Sequence, residues 1–421
     1  MQTLENRSIL TEQVFLARQP ICDKELRTYG YELLFRESPS NQAVQDGKRA
    51  PAEVLMSALM EIGLDTVVGR HLAFINVTSS SIRCHYYGSL PKDRVVLQVS
   101  ETGAPDKKLI DALIRLSGQG YKIALDDFVY HPSLESLLCV ADFVKVDLTA
   151  QDPATLKEQL DTLQKFAHQR FIALRRFNVR LLAKKVETFA DFDLAKSLGF
   201  DFFQGFFFCH PSMVAGKRVP NNRMGLLRLL SKLQDPEIQL KELEEVISQD
   251  LALSHKLLRY INSVFCGFRR KVESVRHAVS LVGADRIRMW TNLILFSGVR
   301  DKPSELAITS MIRARMCEVV AEVWKQEDTS RFFTVGLFST LDALLDCPME
   351  EALRDLPLSD EICRALVHRE GLLGAALDSV LAYEQGDWDA SVVSALTENA
   401  APAAYLETLS WTQKTLAALS V

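Results

Sequence analysis

Up to about residue 215 the chain alternates short β-branched or aromatic runs with amphipathic helical ones, which restricts this half to a parallel sheet, open or closed. The strand-like runs are YGYELLFR, LAFIN, VVLQ, KIALDD, FVKVD, LLAKKVE and FFQG. Between them lie PAEVLMSALMEIGL, DKKLIDALIRLSGQG and TLKEQLDTLQKFAHQ, whose apolar residues recur at three and four, the spacing of one helix face. Each strand-like run also ends in polar residues suited to metal or phosphate chemistry: Glu32 and Arg36, Asn76, Gln98, Asp126 and Asp127, Lys145 and Asp147, Glu187, and Gln204. An open sheet concentrates its site at one switch point, whereas a (β/α)8 barrel gathers all its strand ends on one face. Chemistry spread over so many ends predicts the barrel.

After His210-Pro211 the texture changes. PSMVAGKRVPNNR is polar, carries two prolines and a glycine, and reads as a linker. From Met224 onward MGLLRLLSKLQ, QLKELEEVISQ, LALSHKLLRYINS, ESVRHAVSLVG and ADRIRMWTNLILFSG all have a helical period, with Asp235-Pro236 as a stop and Gly283 as a cap. The expected organisation is α/β plus all-α: a barrel over 14–212, a linker over 213–222 and an all-helical bundle over 223–421. No internal repeat argues for a solenoid.

With 421 residues and 48% hydrophobic content the chain can fill two cores. A net charge of -5 and a pI near 6.0 give no global attraction to nucleic acid or anionic membrane. Arg269-Arg270-Lys271 is a local basic segment, but three charges are a thin basis for nucleic-acid binding. The first residues lack a signal-peptide apolar core, and no run reaches the roughly 18 apolar residues of a membrane helix, so a cytoplasmic protein without membrane association is expected. Eight scattered cysteines without a C-x-x-C pair read as reduced, mostly buried thiols.

The ordered set Glu32-Leu33-Leu34-Phe35-Arg36, Asn76, Ser100-Glu101-Thr102, Asp126-Asp127-Phe128, Lys145-Val146-Asp147, Val186-Glu187-Thr188 and Gln204-Gly205 resembles the motif series of EAL domains. Those are (β/α)8 barrels that bind cyclic di-GMP and, when active, hydrolyse it to linear pGpG with two Mg²⁺ or Mn²⁺ ions. The resemblance implies Glu32, Asn76, Asp126, Asp127 and Glu187 as metal ligands, because hard cations beside a phosphodiester take oxygen donors. It implies Lys145, with Glu187, at the catalytic positions, and Leu34, Arg36 and Gln204 against the ligand, Arg36 through a charge-assisted phosphate contact. Singly, each has a plainer reading. Glu32 and Arg36 would form an ion pair on a helix, Asp126-Asp127 would cap a turn, and Lys145 and Asp147 would pair along a strand.

Three departures stand out. Gln98 replaces the acidic residue that opens the family's E-x-T-E motif, although Glu101 keeps the second acidic position. Val129 and Tyr130-His131-Pro132-Ser133-Leu134 replace a glycine-rich loop, which should stiffen it. Lys184-Lys185 stands where a carboxylate and a glycine would be. A neutral amide supplies no charge to hold two divalent cations, so loss of hydrolysis and of the metal cofactor is expected, with cyclic di-GMP binding left open by Leu34, Arg36 and Gln204.

In the second half, Ser248-Gln249-Asp250, Leu257-Leu258-Arg259, Asn262-Ser263 and Ala278-Val279-Ser280-Leu281-Val282-Gly283 resemble the HDOD domain, a helical relative of the HD phosphohydrolases without their catalytic His-Asp. No His-Asp doublet occurs, Ser339 stands near where it would be, and His255, His277 and His368 read as surface or core-edge residues. EAL followed by HDOD resembles a bacterial arrangement called YuxH-like. The resemblance implies a regulator in cyclic di-GMP signalling with a degenerate barrel, contacting proteins through its HDOD half and open to homodimerisation. The alternative is an active metal-dependent phosphodiesterase.

Overall fold

The computed structural model describes residues 15–36, 63–83, 90–100, 105–150, 155–163, 165, 179–210, 224–235, 238–263, 266, 268, 271–299, 302–387 and 400–419. The chain divides into two compact units, Met1–Phe207 and Phe208–Val421. Among the described residues no helix is long and apolar enough to cross a membrane.

In the first unit eight strands close a barrel in chain order: β1 (Phe15–Asp23), β2 (Thr28–Arg36), β3 (Leu72–Val77), β4 (Val95–Ser100), β5 (Lys122–Asp126), β6 (Phe143–Asp147), β7 (Arg180–Lys184) and β8 (Phe202–Gln204). The expected barrel is present, with one correction. The sequence offered seven parallel strands, whereas β1 is an eighth, antiparallel to both β2 and β8. Its run FLARQPICD escapes notice because Pro20 and two polar residues interrupt the apolar pattern. A tight turn reverses the chain into β2: Asp23 Oδ1 accepts the backbone N–H groups of Glu25 (3.0 Å) and Arg27 (2.9 Å), and Leu26 sits at φ 60°.

The helices lie where periodicity placed them. Lys107–Gly118 starts at Asp106, whose carboxylate accepts the Leu109 N–H at 2.8 Å. Phe189–Ser197 opens with a reciprocal cap between Thr188 and Asp191. Residues 155–163 form the helix read from TLKEQLDTLQKFAHQ. PAEVLMSALMEIGL lies almost wholly outside the described residues, as do the linker at 213–222, Glu101, Cys84, Pro236 and Arg269-Arg270.

Inside the barrel, Ile21, Phe74, Val96, Ala124, Phe143, Leu182 and Phe202 form an apolar plug. Strand side chains alternate faces, so positions two residues from each plug member also point inward. Those positions are Gln19, Asn76, Gln98, Asp126, Lys145, Lys184 and Gln204. β2 contributes Glu32, which pairs in register with Phe74 on β3 and with Gln19 on β1. One polar ring therefore sits directly on an apolar plug.

The secondary-structure elements described in the second unit are all helices. Met224–Gln234 stops at Asp235, and Gly283, at φ 87°, ends Val275–Val282 and begins Ala284–Ser297. Ser304–Val323 and Thr329–Phe338 cross closely at Gly336, where a Cβ would lie 2.4 Å from the Arg313 carbonyl oxygen. Of the described cysteines, Cys22, Cys209, Cys317 and Cys347 are buried and Cys139 is exposed, all as free thiols.

Candidate functional site

Glu32 is the hub of the polar ring. It is 4% exposed, and its Oε1 accepts from Gln98 Nε2 at 2.8 Å and from Asn76 Nδ2 at 3.2 Å. Its Oε2 accepts from Lys145 Nζ at 3.0 Å and from Gln204 Nε2. Burial works to raise the Glu32 pKa, but Lys145 and the amides of Gln204 and Gln98 outweigh it and hold the group at about 2. This carboxylate is ionised and carries four donors.

Gln98 fixes the direction of the ring. Its Nε2 also donates to Asn76 Oδ1 at 2.8 Å, while its Oε1 accepts from the fully buried Lys145 at 2.5 Å. The side-chain oxygen is thus turned to a lysine and the NH₂ to two oxygens. Gln204 Nε2 reaches Gln19 Oε1 at 2.7 Å, and Gln204 Oε1 keeps its acceptor without a hydrogen-bond donor.

Beyond this hub lies a second cluster. Lys184 Nζ donates to Asp126 Oδ1 at 2.8 Å and to Asp127 Oδ1 at 2.7 Å, and Lys145 Nζ lies 3.6 Å from Asp126 Oδ1. Burial opposes charge on Lys184, but Asp126 and Asp127 outweigh it and raise its pKa. Lys185, at φ 56°, leaves the strand and pairs with Asp147 at 2.7 Å, which leaves Asp147 away from Lys145. Burial works to raise the Asp147 pKa, and Lys185 and Thr149 bring it below its usual value.

The structure brings Glu32, Asn76, Gln98, Asp126, Lys145 and Gln204 together, and it adds Gln19 and Lys184. Gln19 was missed because its strand was missed. Asp127 reaches the same place from a left-handed backbone at φ 48°. Leu34 follows Glu32 on the same face of β2 and is half-buried. Arg36 ends that strand, so the helical reading of Glu32 and Arg36 is overturned, but its side chain lies outside the described residues. Glu187 lies just beyond β7 and is exposed, and its backbone N–H donates to Asp191 at 3.2 Å.

The donors do not fit a pair of divalent cations. Cations need oxygens aimed outward, yet both Glu32 oxygens and the Asn76 oxygen are engaged by N–H donors, and the Lys184 ammonium is bonded to one oxygen of each of Asp126 and Asp127. Among the described residues no group of three or more His, Cys, Asp or Glu side chains is arranged to hold a metal. The loop that follows Asp127 is bonded to itself. Tyr130 donates to Glu135 at 2.9 Å, His131 Nδ1 and Ser133 Oγ lie 2.7 Å apart, and Pro132 opens a single 3-10 turn.

In the helical unit the position marked by Ser339 holds an ion pair. Arg313 binds Glu384 through Nε (2.9 Å) and Nη2 (2.8 Å), its Nη1 reaches Ser339 Oγ at 3.4 Å, and Ser339 donates to the Gly336 carbonyl at 2.8 Å. Burial raises the Glu384 pKa, against the pull of Arg313. His255, His277 and His368 are all exposed, as expected.

Comparison with known proteins adds the following. Residues 3–211 match the EAL domain family and residues 220–354 match the HDOD domain family. The chain is similar to the cyclic di-GMP phosphodiesterase CdgJ of Vibrio cholerae, with 34% identity over 378 residues, covering 89% of this chain and 85% of that protein. It is also similar to the protein YuxH of Bacillus subtilis, with 30% identity over 411 residues, covering 95% of this chain and 98% of that one. Among solved structures, the Bacillus subtilis YkuI protein, with an EAL domain and in complex with substrate c-di-GMP and calcium, aligns with 64% of this chain and 72% of its own. That alignment has 17% identity and a TM-score of 0.35.

Proposed function

The chain belongs to the family of two-domain proteins that join an EAL barrel to an HDOD domain, and from that membership we propose that it is a bacterial regulator in cyclic di-GMP signalling whose barrel does not hydrolyse the nucleotide. The observation that carries the reading is Gln98. Its amide is built into the ring as a donor to Glu32 and Asn76 and an acceptor from Lys145, so three side chains expected around metal and water are tied to one another. Two-metal hydrolysis needs cations beside the phosphodiester, and this ring presents donors and ammonium groups instead.

In this reading the barrel spans 14–212 and senses the nucleotide through Leu34, Arg36 and Gln204, with 213–222 as the linker. The helical half, 223–421, contacts a protein partner in the cytoplasm, and the whole protein can pair as a homodimer. No Mg²⁺ or Mn²⁺ is required, and Lys145 and Glu187 are vestigial catalytic positions.

The test is incubation of the full chain with cyclic di-GMP and Mg²⁺ or Mn²⁺, followed by separation of linear pGpG. The expected result is no product above the protein-free control. Turnover on the order of 1 s⁻¹ or faster, the ordinary range of enzymes, would sink the regulator reading. A second reading, an active phosphodiesterase, draws on the name of the Vibrio cholerae relative at 34% identity, and the same assay decides for it. In parallel, Arg36→Ala is expected to weaken cyclic di-GMP binding roughly tenfold or more, the worth of one charge-assisted contact. Unchanged affinity would place the ligand elsewhere.

A further inference from the structure

Asp126 and Asp127 are consecutive, and consecutive residues of a strand point to opposite faces. Here they converge on one point. Asp127 leaves β5 with φ 48°, a left-handed conformation that aspartate tolerates better than most residues, and its carboxylate swings back beside that of Asp126. The group at the point of convergence is Lys184 Nζ, 2.8 Å from one carboxylate and 2.7 Å from the other. β7 delivers it from two strands further round the barrel, and its side chain is 16% exposed.

We propose that the Lys184 ammonium is a tethered substitute for a divalent cation: the Asp126–Asp127 pair is a cation site that the chain fills with its own charge. The proposal deepens the regulator reading and rests on it for the identity of the site. A tethered group competes at an effective concentration of millimolar or above without leaving the molecule, so free Mg²⁺ or Mn²⁺ meets an occupied site. The charges agree with such an exchange. Glu32, Asp126 and Asp127 supply three negative charges, of which Lys145 offsets one and Lys184 a second, leaving a residue of one rather than the two that would remain without Lys184. Lys145 alone is too distant from Asp127 to replace Lys184, since its nearest approach to the pair is 3.6 Å, to Asp126.

The proposal is tested by Mn²⁺ titration of the full chain, reading free Mn²⁺ by electron paramagnetic resonance. Wild type, Lys184→Ala, Lys184→Gln and Lys184→Ala/Asp127→Asn are compared. Lys184→Gln keeps the length and packing of the side chain while removing its charge. The expected result is weak Mn²⁺ binding by wild type, affinity increased on the order of tenfold or more in both neutral variants, and loss of that gain in the double variant. Equal Mn²⁺ affinity in wild type and in both neutral variants, whether tight or absent in all three, overturns the proposal. The two readings fail separately. Linear pGpG from wild type ends the regulator reading, whereas tight Mn²⁺ binding by wild type without product ends only this one.

Discussion

Gln98 and Glu32 lie on strands separated by β3, yet they meet across the barrel interior with Gln98 Nε2 2.8 Å from Glu32 Oε1. The direction of that bond sets the character of the site. An amide NH₂ aimed at a carboxylate satisfies it, whereas a second carboxylate there would need a cation between the two.

Lys145 is the buried cation of the hub, so Lys145→Met should leave Glu32 as an uncompensated buried charge. A loss of about 3–5 kcal/mol of unfolding free energy is expected, read from urea denaturation. Adding Glu32→Gln to the same chain should recover a large part of it.

Acid should weaken the barrel through Glu32. Its folded pKa is lowered to about 2 from an ordinary 4.5, so its contribution is complete above pH 4.5 and is lost as pH falls towards 2. The linked stability is about 3 kcal/mol. Denaturation curves at pH 6 and pH 3 should show a smaller difference in Glu32→Gln than in wild type, and equal differences would refute the assignment.

Gly205 follows the ring residue Gln204 at φ 153°, and a Cβ there would lie 1.9 Å from the Val186 carbonyl oxygen. The β7 and β8 ends also bond directly, Val186 N–H to the Gln204 carbonyl at 3.0 Å. Gly205→Ala must push these ends apart, with a destabilisation on the order of 3 kcal/mol or more, visible as a lowered melting temperature. An unchanged melting temperature would mean that the two ends do not meet so closely.

In the helical unit, Arg313→Met should destabilise by about 3–5 kcal/mol, because Glu384 stays buried without its partner. Arg313→Met/Glu384→Leu should be closer to wild type than either single variant. Strict additivity in that double-mutant cycle would argue against a direct pair.

Much of this was legible in the sequence, and for identifiable reasons. The barrel shows because β3 to β8 are near-continuous apolar runs, as strands buried on both faces must be. β1 did not show because Pro20 and its polar neighbours break the run, and Gln19 went with it. Lys184-Lys185 read only as a departure from the family's motif. Counting two residues on from Leu182 would have turned Lys184 inward, but that count has meaning only once Leu182 is known to face the plug. Glu187 lies three residues past the end of β7, where strand alternation no longer says which way a side chain points. The first five helices of the second unit, from Met224 to Ser297, were readable to within a residue or two from their periods and caps. The Arg313–Glu384 pair was not, since no local pattern relates side chains 71 positions apart.

The interlocking of the ring bears on how such a chain changes over generations. Because Glu32, Asn76, Gln98, Lys145 and Gln204 are hydrogen-bonded to one another, a single replacement leaves a buried partner stranded before a second replacement can accommodate it. Drift through this ring is therefore slow in either direction. A lineage that acquired it would tend to keep it, much as a ratchet holds its last tooth, whatever its surface and loops were doing meanwhile.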